Sequence, residues 1–180
     1  MYMPVMVDLK RVTVFGGDRG EGLQKTQKLA LFADELLVVP EARGQGPTIE
    51  LPAGAQSELK EKLLLPEARS IPVHPRAAGD LNRWALARLI RGRTWVVSDL
   101  ADRRLNERIK ALCDRHRVLC TVVDTKDLCS VWFMGLVRTD RFTVAVSSNG
   151  AASPTKTDSR LVPQLRRYLT PLIENWKEQP

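Results

Sequence analysis

Cysteine and histidine are both scarce in this 180-residue chain, at three and two residues. Cys113, Cys120 and Cys129 include no CxxC pair and leave an odd count, which argues against a disulfide framework or a four-thiolate zinc site and for buried free thiols. His74 and His116 lie far apart and outside any ligand-spaced motif, so no bound metal is expected. Aromatic residues make up only 6% of the sequence. Of these, Trp84, Trp95 and Trp132 fall within apolar elements, where packing in a core is expected over stacking on a ligand. No apolar run approaches the roughly 20 residues that cross a bilayer, and Met1–Asp8 lacks a charged stretch followed by an apolar one. Neither a membrane span nor a secretory signal is expected, which leaves the cytoplasm as the expected location. Runs of about five or more like charges, which would suggest a nucleic-acid arm, are missing too, and with no recognisable recognition motif nucleic acid ranks last among the partners.

What is present is the composition of an ordinary globular protein, 43% hydrophobic and 27% charged. The length suits one sizeable core with an appendage. A net charge of +7 favours an anionic partner, such as nucleic acid, a membrane surface or a polycarboxylate, and the sign alone does not choose among them.

Hydrophobic periodicity gives the architecture. Val12–Phe15 is a short β-rich run stopped by two glycines; Leu23, Leu29, Ala30 and Ala33 share a helical face; Leu36–Val39 is a second strand ended by Pro40. Strand, glycine turn, helix and strand form a βαβ unit with a parallel pair. Pro and Gly interrupt Glu41–Pro75, where only Ser57–Leu65 reads as helical. The alternation resumes with a helix over Asp80–Arg91, a strand over Thr94–Val97, a helix capped by Asp102 and a strand over Val118–Val123. Phe142–Ser147 is a further strand, and a terminal helix over Ser159–Trp176 is expected to bend or restart at Pro163 and Pro171.

The turn Gly16-Gly17-Asp18-Arg19-Gly20-Glu21-Gly22 carries the first functional signal. Glycines after a first strand let backbone N–H groups approach a pyrophosphate, which the following helix N-terminus also attracts. The spacing departs from G-x-G-x-x-G, so two readings stay open: a nucleotide cradle and a purely structural βα turn. At the end of the second strand the nearest acid for a ribose hydroxyl is Glu41.

An ordered set of motifs resembles the precorrin-2 dehydrogenase family, the N-terminal domain of siroheme synthases. Met3-Pro4-Val5-Met6-Val7-Asp8-Leu9 is similar to the family's opening, Lys25 follows the glycine turn, and Leu105-Asn106 opens a helix. Val122-Val123-Asp124 ends a central strand, and Val146 to Pro154 is similar to the family's small-residue turn. The three consecutive glycines of the family are here Gly16-Gly17-Asp18, the Asn before Val-Val-Asp is Thr121, and a later Pro is Met134. The resemblance implies an α/β fold: a Rossmann-like parallel-sheet NAD-binding domain over residues 1–134, then a dimerisation segment and C-terminal helix over 135–180. It also implies a homodimer built on Gly135–Pro154 and NAD held by Gly16, Gly17, Asp18, Gly20, Gly22 and Lys25. The reaction it implies is dehydrogenation of precorrin-2 to sirohydrochlorin with Asp124 as catalytic base, a residue that in bifunctional relatives also assists metal insertion. Ser148, Lys156, Arg160 and Arg138 are the residues expected to meet the carboxylates of this tetrapyrrole substrate. The alternative is a non-catalytic relative that keeps the fold and binds a tetrapyrrole, a nucleotide or a protein partner. For Asp124 itself the alternative is capping of the turn that follows.

Overall fold

The computed structural model describes residues 9–30, 32–44, 46–50, 70–132, 135–138, 143–146 and 161–174. The chain divides into two compact units that adjoin in sequence at Val131 and Trp132. The expected helix at Ser57–Leu65 and the opening motif up to Asp8 lie outside the described residues.

The first unit runs β1 (Arg11–Gly16), α1 (Gly20–Ala30), β2 (Glu35–Val39), β3 (Thr48–Glu50), β4 (Ser70–Pro72), α2 (Arg83–Ile90), β5 (Trp95–Asp99), α3 (Arg103–His116) and β6 (Leu119–Val122). Four of these strands form a parallel sheet in the order β2-β1-β5-β6, and β3 and β4 pair antiparallel beside it. This is the Rossmann-like α/β fold. In it the chain leaves β1 toward β2 on one side and later returns to β5 on the other, so the strand order reverses between β1 and β5. Register fixes the geometry there, with Gly16 opposite Asp99.

Strand alternation builds two apolar layers from one sheet. Val12, Val14, Val38, Trp95 and Val97 face Leu29, Ala30 and Ala33, and form one buried cluster. Phe15, Val39, Val96, Cys120 and Val122 face the other way, onto Leu86 and Ile90 of α2 and Leu105, Ile109, Leu112 and Cys113 of α3. Polar side chains inside the sheet find partners: Trp95 Nε1 donates to Thr121 Oγ1 at 3.1 Å, and Thr13 Oγ1 donates to Leu89 O at 3.0 Å. Cys113 and Cys120 are buried free thiols and Cys129 is half-buried. A hydrogen bond to Cys120, reinforced by burial, pushes the Cys113 thiol far up, so it stays protonated.

Caps set the helix starts. Asp102 Oδ1 accepts the N–H groups of Arg104 and Leu105 at 2.9 and 3.3 Å, as expected for α3. The helix expected from Asp80 starts later, because Ala78–Asp80 is a 3-10 turn and Asn82 Oδ1 caps α2 by accepting from Ala85 at 2.9 Å. Trp84 corrects an expectation, being 82% exposed rather than packed in the core. The inward face of α2 is set by Leu86 and Ile90, and at about 100° per residue Trp84 lies roughly 200° around from Leu86.

The second unit holds β7 (Gly135–Arg138) and β8 (Thr143–Val146), an antiparallel pair against which α4 (Leu161–Glu174) packs. β7 was not among the expected strands, since it offers only Leu136 and Val137 as apolar signal. α4 runs on through Pro171 without restarting. Pro163 falls in its first turn, where a missing N–H costs no helical hydrogen bond.

Packing gives a direct contrast. Ile109→Ala, at a fully buried position, should cost about 2–5 kcal/mol in denaturant unfolding, whereas Trp84→Ala should stay within about 0.5 kcal/mol of wild type.

Candidate functional site

The carboxyl ends of parallel strands are where open α/β sheets keep their ligands, in the crevice at the reversal of strand order. Here that crevice lies between β1 and β5. Gly16 has φ +72°, and a Cβ on it would stand 2.7 Å from Asp99 O. A Cβ on Gly17 would stand 2.6 Å from Thr26 Oγ1, which donates to Gly17 O at 2.8 Å and ties the turn to α1. The helix starts at Gly20, not at Leu23 as the periodicity suggested, so Gly22 belongs to its first turn. A side chain on Gly22 would overlap the Asp99 carboxylate and come within 2.9 Å of Gly17 Cα. The turn therefore leaves β1 with bare backbone, and α1 closes onto it with bare backbone. Gly20 is exposed with nothing near its missing Cβ, and Lys25 lies half-buried further along α1.

Two carboxylates lace the crevice wall together. Asp18 is only 6% exposed, and its Oδ1 accepts the Glu41 N–H at 3.1 Å while Arg19 lies 3.4 Å from Oδ2. Glu41 Oε1 in turn accepts the Ala101 N–H at 2.8 Å. The exits of β1, β2 and β5 are thus joined in series. Ser98 and Asn106 fix the last of these from below: Ser98 Oγ donates to Asn106 Oδ1 at 2.6 Å, and Asn106 Nδ2 donates to Leu100 O at 2.9 Å, all buried.

Asp124 follows β6 on the same edge of the sheet, two strand spacings or about 10 Å from β1. It is exposed and sits in the left-handed region at φ +55°. Among the described residues its carboxylate makes no hydrogen bond or ion pair, and the 3-10 turn that follows, Lys126–Leu128, has Thr125 at its N-cap without side-chain capping. The turn-capping alternative for Asp124 is therefore not what the structure holds. Beside it, Arg103 clasps Asp127 at 2.6 Å and Glu107 at 3.0 Å. The hydrogen bond from Arg103 holds Asp127 below the usual carboxylate range. That clasp is intact above the ordinary Asp range and is lost as pH falls through the lowered value.

Arg138 lies on β7 in the second unit. Ser148, Lys156 and Arg160 lie outside the described residues. Asp99 is the site residue that sequence reasoning missed, although the rule that selects Asp124, an acid where an apolar strand ends, selects it equally. A cavity of about 340 Å³ lined by Asp34, Glu35, Leu36, Ile71 and Arg93 lies at the amino end of β2, away from the crevice. Among the described residues no cluster of three metal-ligating side chains occurs, and no helix is long and apolar enough to cross a membrane.

A parallel sheet with a glycine-lined helix N-terminus at its switch point defines a dinucleotide-binding α/β domain. Residues 5–134 match the family model described as "Putative NAD(P)-binding". The chain belongs to this NAD(P)-binding family. Over 178 residues it is 32% identical to the siroheme synthase of Azotobacter vinelandii, an overlap of 97% of this chain and 31% of that protein. The chain thus spans about a third of the length of that relative. A solved structure of SirC, a precorrin-2 dehydrogenase, superposes with a TM-score of 0.57 at 19% identity over 99% of this chain and 72% of that one, a likeness of fold. The motif resemblance to siroheme-forming enzymes is upheld by these matches.

The cofactor of the domain is a nicotinamide dinucleotide. Side chains at Gly16, Gly17 and Gly22 would strike the protein's own backbone or side chains, so β1, the turn and the start of α1 meet at a distance that only bare backbone allows. Gly22→Ala should lower NAD+ affinity at least about tenfold, as expected when a close backbone approach is blocked, with titration by fluorescence or calorimetry as the measurement.

Proposed function

We propose that this domain dehydrogenates precorrin-2 to sirohydrochlorin in siroheme synthesis, with NAD+ as oxidant and Asp124 as base, as a homodimer in the cytoplasm. The observation that carries the reading is Asp124 itself: a carboxylate without a structural partner among the described residues, exposed at the strand edge that also bears the dinucleotide cradle. The siroheme synthase and precorrin-2 dehydrogenase relatives support the substrate assignment.

Gly16, Gly17 and Gly22 hold the diphosphate against the first turn of α1, whose dipole favours it, with Lys25 further along the helix. Gly20 and Asp18 complete that segment, Asp18 by keeping the turn tied to Glu41 rather than by facing the phosphates. Bound NAD+ supplies the acceptor for a hydride. Asp124 takes the proton released from the neighbouring atom of the macrocycle and passes it to solvent, so that one hydride and one proton leave and one double bond forms. Ser148, Lys156, Arg160 and Arg138 are the groups proposed to bind the substrate's carboxylates, in keeping with the +7 net charge. Incubation with precorrin-2 and NAD+ should give sirohydrochlorin absorbance, and Asp124→Asn should reduce kcat by about 10²–10⁴-fold with NAD+ affinity unchanged. Turnover that survives in Asp124→Asn would remove the base assignment.

The homodimer reading gains from α4. Leu165, Tyr168 and Leu172 are 45%, 67% and 52% exposed at helical spacing, an apolar stripe suited to a second copy of the chain beside the proposed segment Gly135–Pro154. Leu165→Glu with Leu172→Glu should convert a dimer to a monomer in light scattering.

A further inference from the structure

β6 is the outer strand of the sheet, and the next segment of chain returns along its open edge. An edge strand presents N–H groups that a further strand would otherwise satisfy. Here side chains take that place. Ser130 Oγ accepts the Cys120 N–H at 2.9 Å, and Cys129 Sγ accepts the Val122 N–H at 3.3 Å. The sulfur also stands 3.1 Å from Val122 O and 3.3 Å from Thr125 O, the two carbonyls to which its single S–H can donate.

Val122 and Thr125 are the two ends of the turn that carries Asp124. The Thr125 N–H donates to Val122 O at 3.2 Å, closing a four-residue turn with Val123 and Asp124 at its centre. Positive φ at the third position of such a turn favours glycine, yet Asp124 holds it at +55°. A conformation of this kind persists where the surroundings over-determine it. On one side the Val123 N–H is anchored to Ser98 O at 2.8 Å, and on the other the Cys129 sulfur grips both turn ends at once. Leu128 and Cys129 pack against the buried layer beneath, which gives the sulfur a fixed seat.

We propose that Cys129 is a positioning residue for Asp124, its sulfur fixing the turn that aims the carboxylate at substrate. The catalytic half of this inference rests on the dehydrogenase reading; the structural half does not. Cys129→Ala should speed hydrogen exchange at the Val122 and Thr125 amides about tenfold, with Gly17 and Thr26 unaffected. It should also lower kcat about ten- to hundredfold while KM for NAD+ stays within about twofold. Cys129→Ser keeps a donor and acceptor at the same place, so it should recover most of both and guards against misfolding of the alanine variant. Unchanged exchange at Val122 and Thr125 in folded Cys129→Ala would overturn the proposal, as would kcat equal to wild type. A wild-type protein that fails to oxidise precorrin-2 removes the dehydrogenase reading alone, because the exchange measurement then decides the role of Cys129 by itself.

Discussion

Everything at the carboxyl edge of this sheet depends on how closely three stretches of backbone approach one another. Gly16 and Gly17 leave β1, Gly22 brings α1 onto them, and Asp99 ends β5 directly alongside. Side chains at these three glycines would meet a carbonyl oxygen, a hydroxyl and a carboxylate. Without them the helix N-terminus reaches the strand ends, an arrangement whose dipole favours an anion beside it.

The remainder of the edge is a set of ties that keep that approach fixed. Asp18 and Glu41 run from β1 to β2 to the exit of β5, Asn106 and Ser98 hold the β5 exit from beneath, and Cys129 with Ser130 closes β6. Most of these bonds connect a side chain to backbone N–H or C=O groups that would otherwise lose their partners where strands end. Acids occur often in the set because each strand exit presents donors, and a carboxylate can accept several. Asp124 differs from its neighbours in that, among the described residues, its carboxylate takes no part in such a tie, which is why the proposed base role falls to it.

Much of the first unit was legible from residue order. Four parallel strands, the helix between β1 and β2 and the Asp102 cap follow from apolar periodicity and from residue types with one strong preference. Misreadings arose where such signals are weak or shared. Trp84 has the chemistry of a core residue and the position of a surface one, and only the phase of α2 against the sheet decides between them. β7 is too short to show a period, and Gly20 and Gly22 have the composition of a turn while belonging to a helix.

By itself the sequence determined the fold class, the place of the glycine turn and the acid that ends β6, because these depend on local preference and on order along the chain. Only tertiary structure decided what each polar group near the glycine turn does. Asp18 and Glu41 are alike as acids, and either could have met a phosphate or a ribose. The donors they accept from lie tens of residues away, so their roles were set when β1, β2 and β5 came together and the donors at the strand ends were shared out. The glycine turn acquires its packing role for the same reason: its missing side chains matter only once Thr26 and Asp99 are brought against it.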